Sequence, residues 1–188
     1  MTEKTAKEQV EQIASTLRVI AHESSPKWQV WTLTGEHILT TYIVRGPGQI
    51  AVTGDGASML FERPGGLNLT FVSVGLHYAA EKCRAGQIYD YSETVAEREA
   101  REQLAEIIKE EQEDSDASDR LVELQRFAEE IEDLDFGDEI EVNRWFYNGP
   151  GEGADYPNLG RVYSSEFIRA GACVLAVERH VFPKEQAT

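Results

Sequence analysis

From Thr5 to Ala21 the apolar residues Val10, Ile13, Leu17 and Ile20, with Ala6, Ala14 and Ala21, recur at spacings of three and four. That period predicts an amphipathic helix, with Ser24, Ser25 and Pro26 read as its end. The pattern then changes. Trp28 to Leu33, Ile38 to Val44, Gln49 to Thr53 and Ser58 to Glu62 are short runs rich in β-branched and aromatic residues. They are separated by Thr34-Gly35-Glu36, Gly46-Pro47-Gly48 and Gly54-Asp55-Gly56, turn chemistry that predicts an antiparallel meander of about four strands. Two-residue alternation places Ile50 and Val52 on one face, Ala51 and Thr53 on the other.

Pro64-Gly65-Gly66 breaks the last run, and Val74 to Ala85 reads as a short helix with His77 and Glu81 on one face. Gln87 to Tyr91 reads equally as a short strand or a loop. Ser92 is an N-cap for a helix running to about Glu113, with Ala96, Ala100, Leu104, Ile107 and Ile108 as its apolar stripe. The polar run Asp114-Ser115-Asp116-Ala117-Ser118 is a turn. A second helix from about Asp119 carries Leu121, Leu124, Phe127, Ala128, Ile131 and Leu134, so the two form an antiparallel helical hairpin over about 92–134. Glu139 to Tyr147 alternates as an edge strand would, with a continuing helix as the alternative. The segment 148–160 is a loop, flanked by Trp145, Phe146, Tyr147, Tyr156 and Tyr163, which are read as core residues. Ser165 to His180 is apolar nearly all round, the mark of a buried central helix. The elements together predict an α+β fold over a single domain, 1–188.

Charge adds a second layer. The 188 residues include 34 acidic and 18 basic ones, a formal net charge of −16, which argues against direct binding of nucleic acid or of an anionic membrane. The first 22 residues hold no uninterrupted apolar run and no window approaches a membrane span, so a cytoplasmic protein is expected. Cys83 and Cys173 fall inside the expected helices and are read as reduced, partly buried thiols.

The catalytic and metal-binding patterns fail one by one. The glycine turns lack the Lys-Ser/Thr of a phosphate-binding loop and bracket a strand. Asp114, Asp116, Ser118 and Asp119 begin like a calcium loop, but Asp119 stands where glycine is required and Gln125 where a bidentate glutamate is required. His22, His37, His77 and His180 are scattered, and His77 with Glu81 is read as a surface hydrogen bond. Asp55 and Asp90 are read as caps or turn formers. No catalytic, cofactor-binding or metal-binding residue is assigned.

The charge is concentrated. From Glu93 to Glu141 there are 20 acidic and 5 basic residues, a net of −15, and Phe127 to Val142 holds eight acids and no base. Two helices of this size carry about one net charge per 2 Å of length at 1.5 Å rise per residue, close to the roughly one per 1.7 Å of duplex DNA. This points to an interaction surface made of Glu110, Glu111, Glu113, Asp114, Asp116, Glu129, Glu130, Glu132, Asp133, Asp135, Asp138, Glu139 and Glu141. Its partner would be a basic protein surface, one built to grip nucleic acid, and homo-oligomerisation is left open.

The stretches GPGQIAVTGDGASMLFERPG, GLHYAAEKCRAG and YSSEFIRAGACVLAVERH resemble a family of small uncharacterised proteins of tailed bacteriophages and prophages. The likeness covers about half of the chain as short motifs: Pro-Gly, a Gly-Asp turn, a Tyr-Ala-Ala-Glu-Lys helix and the apolar terminal helix. The chain departs from that pattern at Ala57-Ser58-Met59-Leu60 and has fewer aromatics from Ser164 to Cys173. The resemblance carries no activity. It implies a phage protein in a bacterial host cell, acting on a host or anti-phage defence protein. Two other readings stand beside it. One is a small-molecule binder or enzyme with a pocket beside the meander, where Asp55, His77 or Asp90 converge near the Gly54-Asp55-Gly56 turn and the 148–160 loop. The other is an accessory phage protein whose acidic face does nothing specific.

Overall fold

A computed structural model describes residues 3–36, 38–55, 57–113, 118–151 and 159–183. The class is α+β, with a six-stranded antiparallel sheet, a separate two-stranded ribbon and seven helices among the described residues. The chain divides into two compact units, one formed by 1–89 and 163–188 and the other by 90–162.

The first unit opens with α1 (Glu3–Thr16), which is shorter than its apolar period predicts. The Ser15 and Thr16 hydroxyls donate to the carbonyls of Gln12 and Ile13, and Leu17 N donates to Ala14 O, tightening the last turn. The chain then becomes a strand, β1 (Arg18–Ser24), where the helix was expected to continue to Ala21. A bulge between Val19 and Ala21 breaks the two-residue period that would have revealed it. Ser24, Ser25 and Pro26 therefore do not end a helix: Ser25 N donates to Trp28 O at 2.8 Å, closing a hairpin into β2 (Gln29–Gly35).

The meander continues as expected through β3 (Ile38–Gly46), β4 (Gln49–Gly54) and β5 (Met59–Glu62), each antiparallel to its predecessor. It has six strands, not four, because β1 adds one edge and β6 (Cys83–Ala85) the other. The expected 74–85 helix is two short helices, α2 (Phe71–Val74) and α3 (Leu76–Lys82), and Cys83 lies in a strand. Trp31, Leu33, Ile43, Ile50, Val52, Met59 and Phe61 are buried on one face of the sheet. On the other, Val30, Val44, Ala51 and Leu60 stand in register and are only partly covered.

The buried face is closed by α7 (Ser165–Val181), started by Ser164, whose hydroxyl accepts from Phe167 N at 3.0 Å. Ten consecutive or near-consecutive residues between Phe167 and Val177 are buried in it, and α1 packs along it. Phe61 meets Phe71 at 4.9 Å and Phe167 at 6.3 Å between ring centres. Both cysteines are free and buried. Burial pushes the Cys173 thiol up to about 12, against a hydrogen bond from the Thr41 side chain that lowers it, so it is chemically inert at neutral pH.

β7 (Tyr89–Tyr91) and β8 (Arg161–Tyr163) pair in the ribbon where the chain passes from one unit to the other and back. The strand alternative for 87–91 is thus correct over three residues. The second unit is helical: α4 (Glu93–Glu113), α5 (Ser118–Glu130) and α6 (Glu139–Tyr147). The edge strand expected over Glu139–Tyr147 is absent. Asp138 caps a helix instead, its Oδ1 accepting from Ile140 N and Glu141 N, and the buried residues are Val142 and Phe146, four apart. Phe146 is buried and Trp145 packs at its side, as expected of core aromatics, whereas Tyr156 lies outside the described residues.

Gly171, in the middle of α7, has room: an added Cβ would meet Val10 Cγ2 and Val72 Cγ1 at 3.6 Å, ordinary contact distance. Gly171→Ala should raise stability by about 0.5–1 kcal/mol through lower chain entropy in the unfolded state, measured by urea unfolding; a loss of stability would show that the space at this position does not admit a methyl group.

Candidate interaction surface

The division into units sharpens the distribution of charge. Residues 90–162 contain 23 acidic and 7 basic residues, a net of −16, so the remaining chain, with 11 of each, is formally neutral. Most of the excess, 20 acidic against 6 basic residues or a net of −14, falls within 93–147, the three helices and their connections.

The acidic unit holds itself together through a single apolar seam. Ala96, Ala100 and Leu104 of α4 are buried with Leu124 and Phe127 of α5, Ile131 and Phe136 beyond it, Val142 and Phe146 of α6, and Leu159. The stripe expected for α4 and α5 is therefore correct, although Ile131 and Leu134 lie past the end of α5. Arg101, early in α4, holds Glu97 at 3.2 Å and also reaches Glu132, just past α5, through two guanidinium nitrogens. A start-to-end link of this kind fixes the two helices as an antiparallel hairpin. The hydrogen bonds from Arg101 hold the Glu132 carboxyl below its ordinary range. Arg120 ties Glu123 at 2.7 Å and donates to the carbonyls of Gly149 and Pro150. Arg98 meets Glu99 and Glu102, and Arg126 meets Glu130 at 3.3 Å. Four arginines are thus spent on internal pairs that are worth little individually at the surface.

The thirteen carboxylates assigned from the sequence do not form one cluster. Glu110, Glu111 and Glu113 are at the C-terminal end of α4, and Asp114 and Asp116 lie outside the described residues. The other eight gather at the opposite end of the hairpin. Glu129 and Glu130 end α5, Glu132 and Asp133 follow it, and Glu139 and Glu141 open α6. Asp135 and Asp138 belong to this group but have local duties, Asp135 accepting from Gly137 N at 2.9 Å and Asp138 capping α6. All eight are exposed. Among the described residues, Glu129, Asp133, Asp135, Asp138, Glu139 and Glu141 make no ion pair with a lysine or arginine.

Where these acids fall on the helices is legible only once the helix ends are known. A helix C-terminus carries partial negative charge, which favours cations there. Neither α4 nor α5 has a basic residue in its last turn, yet Glu110, Glu111 and Glu113 close α4 and Glu129 and Glu130 close α5. That placement works against the stability of both helices.

Tyr91 senses the resulting field. Its hydroxyl donates to Phe136 O at 2.9 Å, and its pKa is raised first by burial and then by Glu139, Glu93, Asp138 and Asp135. Asp55 and His77 each have a local role. Asp55 Oδ2 accepts from Leu39 N at 2.9 Å, a turn-forming role, and His77 pairs with Glu81 at 3.4 Å on the surface. The four open grooves found, of about 350 to 630 Å³, are lined by other residues than Asp55, His77 or Asp90. His37 and Gly56 lie outside the described residues. No group of three or more potential metal ligands occurs among the described residues, and no described helix is long and apolar enough to cross a membrane.

Two outcomes follow from this field. Replacing Glu110 by Lys removes a repelled carboxylate and adds a favoured cation, and should stabilise the protein by about 0.3–1 kcal/mol at low ionic strength, read as a rise in thermal midpoint that salt diminishes. A raised tyrosine pKa means that its contribution to stability is complete below the free value of about 10 and is lost as pH climbs through the folded value. Wild type should therefore lose stability in that range with a tyrosinate absorbance step that Tyr91→Phe removes; an unchanged step in the variant would place the effect elsewhere. Comparison with known proteins identifies no relative: no family model, no curated protein and no solved structure matches the chain.

Proposed function

We propose that the acidic helical unit binds a basic surface of a nucleic-acid-binding protein by presenting carboxylates where that protein would meet phosphates. The observation that carries the reading is the placement of carboxylates at the C-terminal ends of α4 and α5, where they oppose the helix dipoles and, apart from Glu130 with Arg126, make no ion pair among the described residues. Acids kept only for solubility would serve as well on the helix flanks or at the N-termini, at no such cost. The linear density supports it too: α4 spans about 30 Å at 1.5 Å per residue, and a protein evolved to neutralise phosphate chains at comparable density has no strong basis for rejecting it. The eight carboxylates from Glu129 to Glu141 are the main contact, and Glu110, Glu111 and Glu113 at the far end of the hairpin are a second one.

The resemblance of short motifs to those of phage proteins suggests the setting we propose, a phage-encoded inhibitor of a host or defence protein in the bacterial cytoplasm. Electrostatic recognition of this kind gives fast, salt-sensitive association. Immobilised protein should capture basic nucleic-acid-binding proteins from bacterial lysate at low salt, release them at high salt, and lose them to added duplex DNA. The variant with Glu129, Glu130, Asp133 and Glu139 changed to Lys, verified as folded by circular dichroism, should capture none of them. Capture that survives both DNA and the fourfold reversal refutes the proposal.

A further inference from the structure

The formally neutral unit has a feature of the opposite sign. Arg63, at the end of β5, and Arg84, in β6, both line an open groove of about 630 Å³ beside the Gly46-Pro47-Gly48 and Pro64-Gly65-Gly66 turns. Among the described residues neither arginine makes an ion pair. One guanidinium is preset: Arg63 Nη1 donates to the Tyr78 hydroxyl at 3.0 Å, and Arg63 N donates to Gly48 O at 2.9 Å. The nearby ammonium is already engaged, since Lys82 lies over the Tyr78 ring and meets Glu81 at 3.4 Å.

The groove is kept open by its backbone. Gly65 and Gly66 have φ of 87° and 113°, values that side chains rarely adopt, although a Cβ at either would meet nothing within 4 Å. Gly66 N donates to Arg63 O at 3.1 Å and closes this turn directly after the arginine. The lining also includes Glu62 and Gln49, paired across β4 and β5. A bare polyanion would be repelled by Glu62. A ligand with one phosphate and neutral hydroxyls can set its anionic group on the two planar guanidinium forks, which match phosphate oxygens, and turn its hydroxyls toward Glu62 and Gln49, which offer acceptors for their protons. The volume falls within the range of small-molecule sites.

We propose that this groove binds a small phosphate monoester carrying hydroxyl groups, with Arg63 and Arg84 on the phosphate and Glu62 and Gln49 on the hydroxyls. The full chain, labelled with ¹⁵N, would be titrated with ribose 5-phosphate, inorganic phosphate and ribose at constant ionic strength set by sodium chloride. Ribose 5-phosphate should bind saturably, with shifts centred on the Gly48, Gly65 and Gly66 amides, and at least tenfold more tightly than inorganic phosphate; ribose should not bind. Arg84→Gln, at an exposed residue with no described partner, should weaken the ester at least tenfold, and Glu62→Ala with Gln49→Ala, which removes both acceptors, should erase its advantage over inorganic phosphate. Equal affinity for the two phosphates, or an Arg84→Gln protein that binds as wild type does, overturns the assignment.

Discussion

A helix segment that is apolar on every side cannot face water anywhere, and α7 contains such a segment. Its unbroken burial from Ala170 to Val177 demands cover from all directions. The sheet supplies one side through residues such as Ile43, Ile50 and Phe61; α1 and α2 supply others through Val10 and Val72. The meander can therefore stay one-sided, with its opposite face only half covered, since the apolar material available is already committed to enclosing one helix. Removing water from that interior also silences Cys173, whose thiolate would have no solvent to stabilise it.

The second unit solves a different problem. Three helices loaded with like charge repel one another along their lengths, and only one narrow seam, from Ala96 to Leu159, opposes that repulsion. The small residues Ala96 and Ala100 let the helices approach closely, and the arginines then bridge positions that would otherwise repel, Arg101 most economically because it answers two carboxylates on different elements. Internal pairing is concentrated on the flanks of the hairpin, and at the two helix C-termini only Glu130 is paired, with Arg126, among the described residues. A neutral body and a strongly anionic helical unit thus coexist in one chain, each with its own core.

The sequence displayed the elements whose period matched their burial. The central strands β2 to β5 alternate because one face is buried, and α4 and α7 repeat at helical spacing because their stripes meet a core. Elements without that match were misread. β1 is exposed on almost every residue and bulged at Ile20, so neither burial nor alternation marked it, and Leu17, Ile20 and Ala21 extended the preceding helical period by coincidence. In α6 the run from Glu139 to Tyr147 alternates in polarity, but Asp138 sets the first turn through two backbone amides, a local decision that outweighs the pattern. The acidic residues were legible as a count and not as an arrangement: that they divide between two ends of a hairpin follows only from the antiparallel pairing of α4 with α5. The groove at Arg63 and Arg84 was invisible, because those residues are 21 positions apart and meet only through the β5–β6 pairing.

The discontinuity of the first unit has a consequence for the order of assembly. Residues 90–162 form a unit that is continuous in sequence, so all of its chain is present before α7 is made. The sheet of 1–89 is synthesised earlier but cannot close its core, because α7 comes after the whole acidic unit. During that interval the apolar face of the meander waits without the helix that covers it.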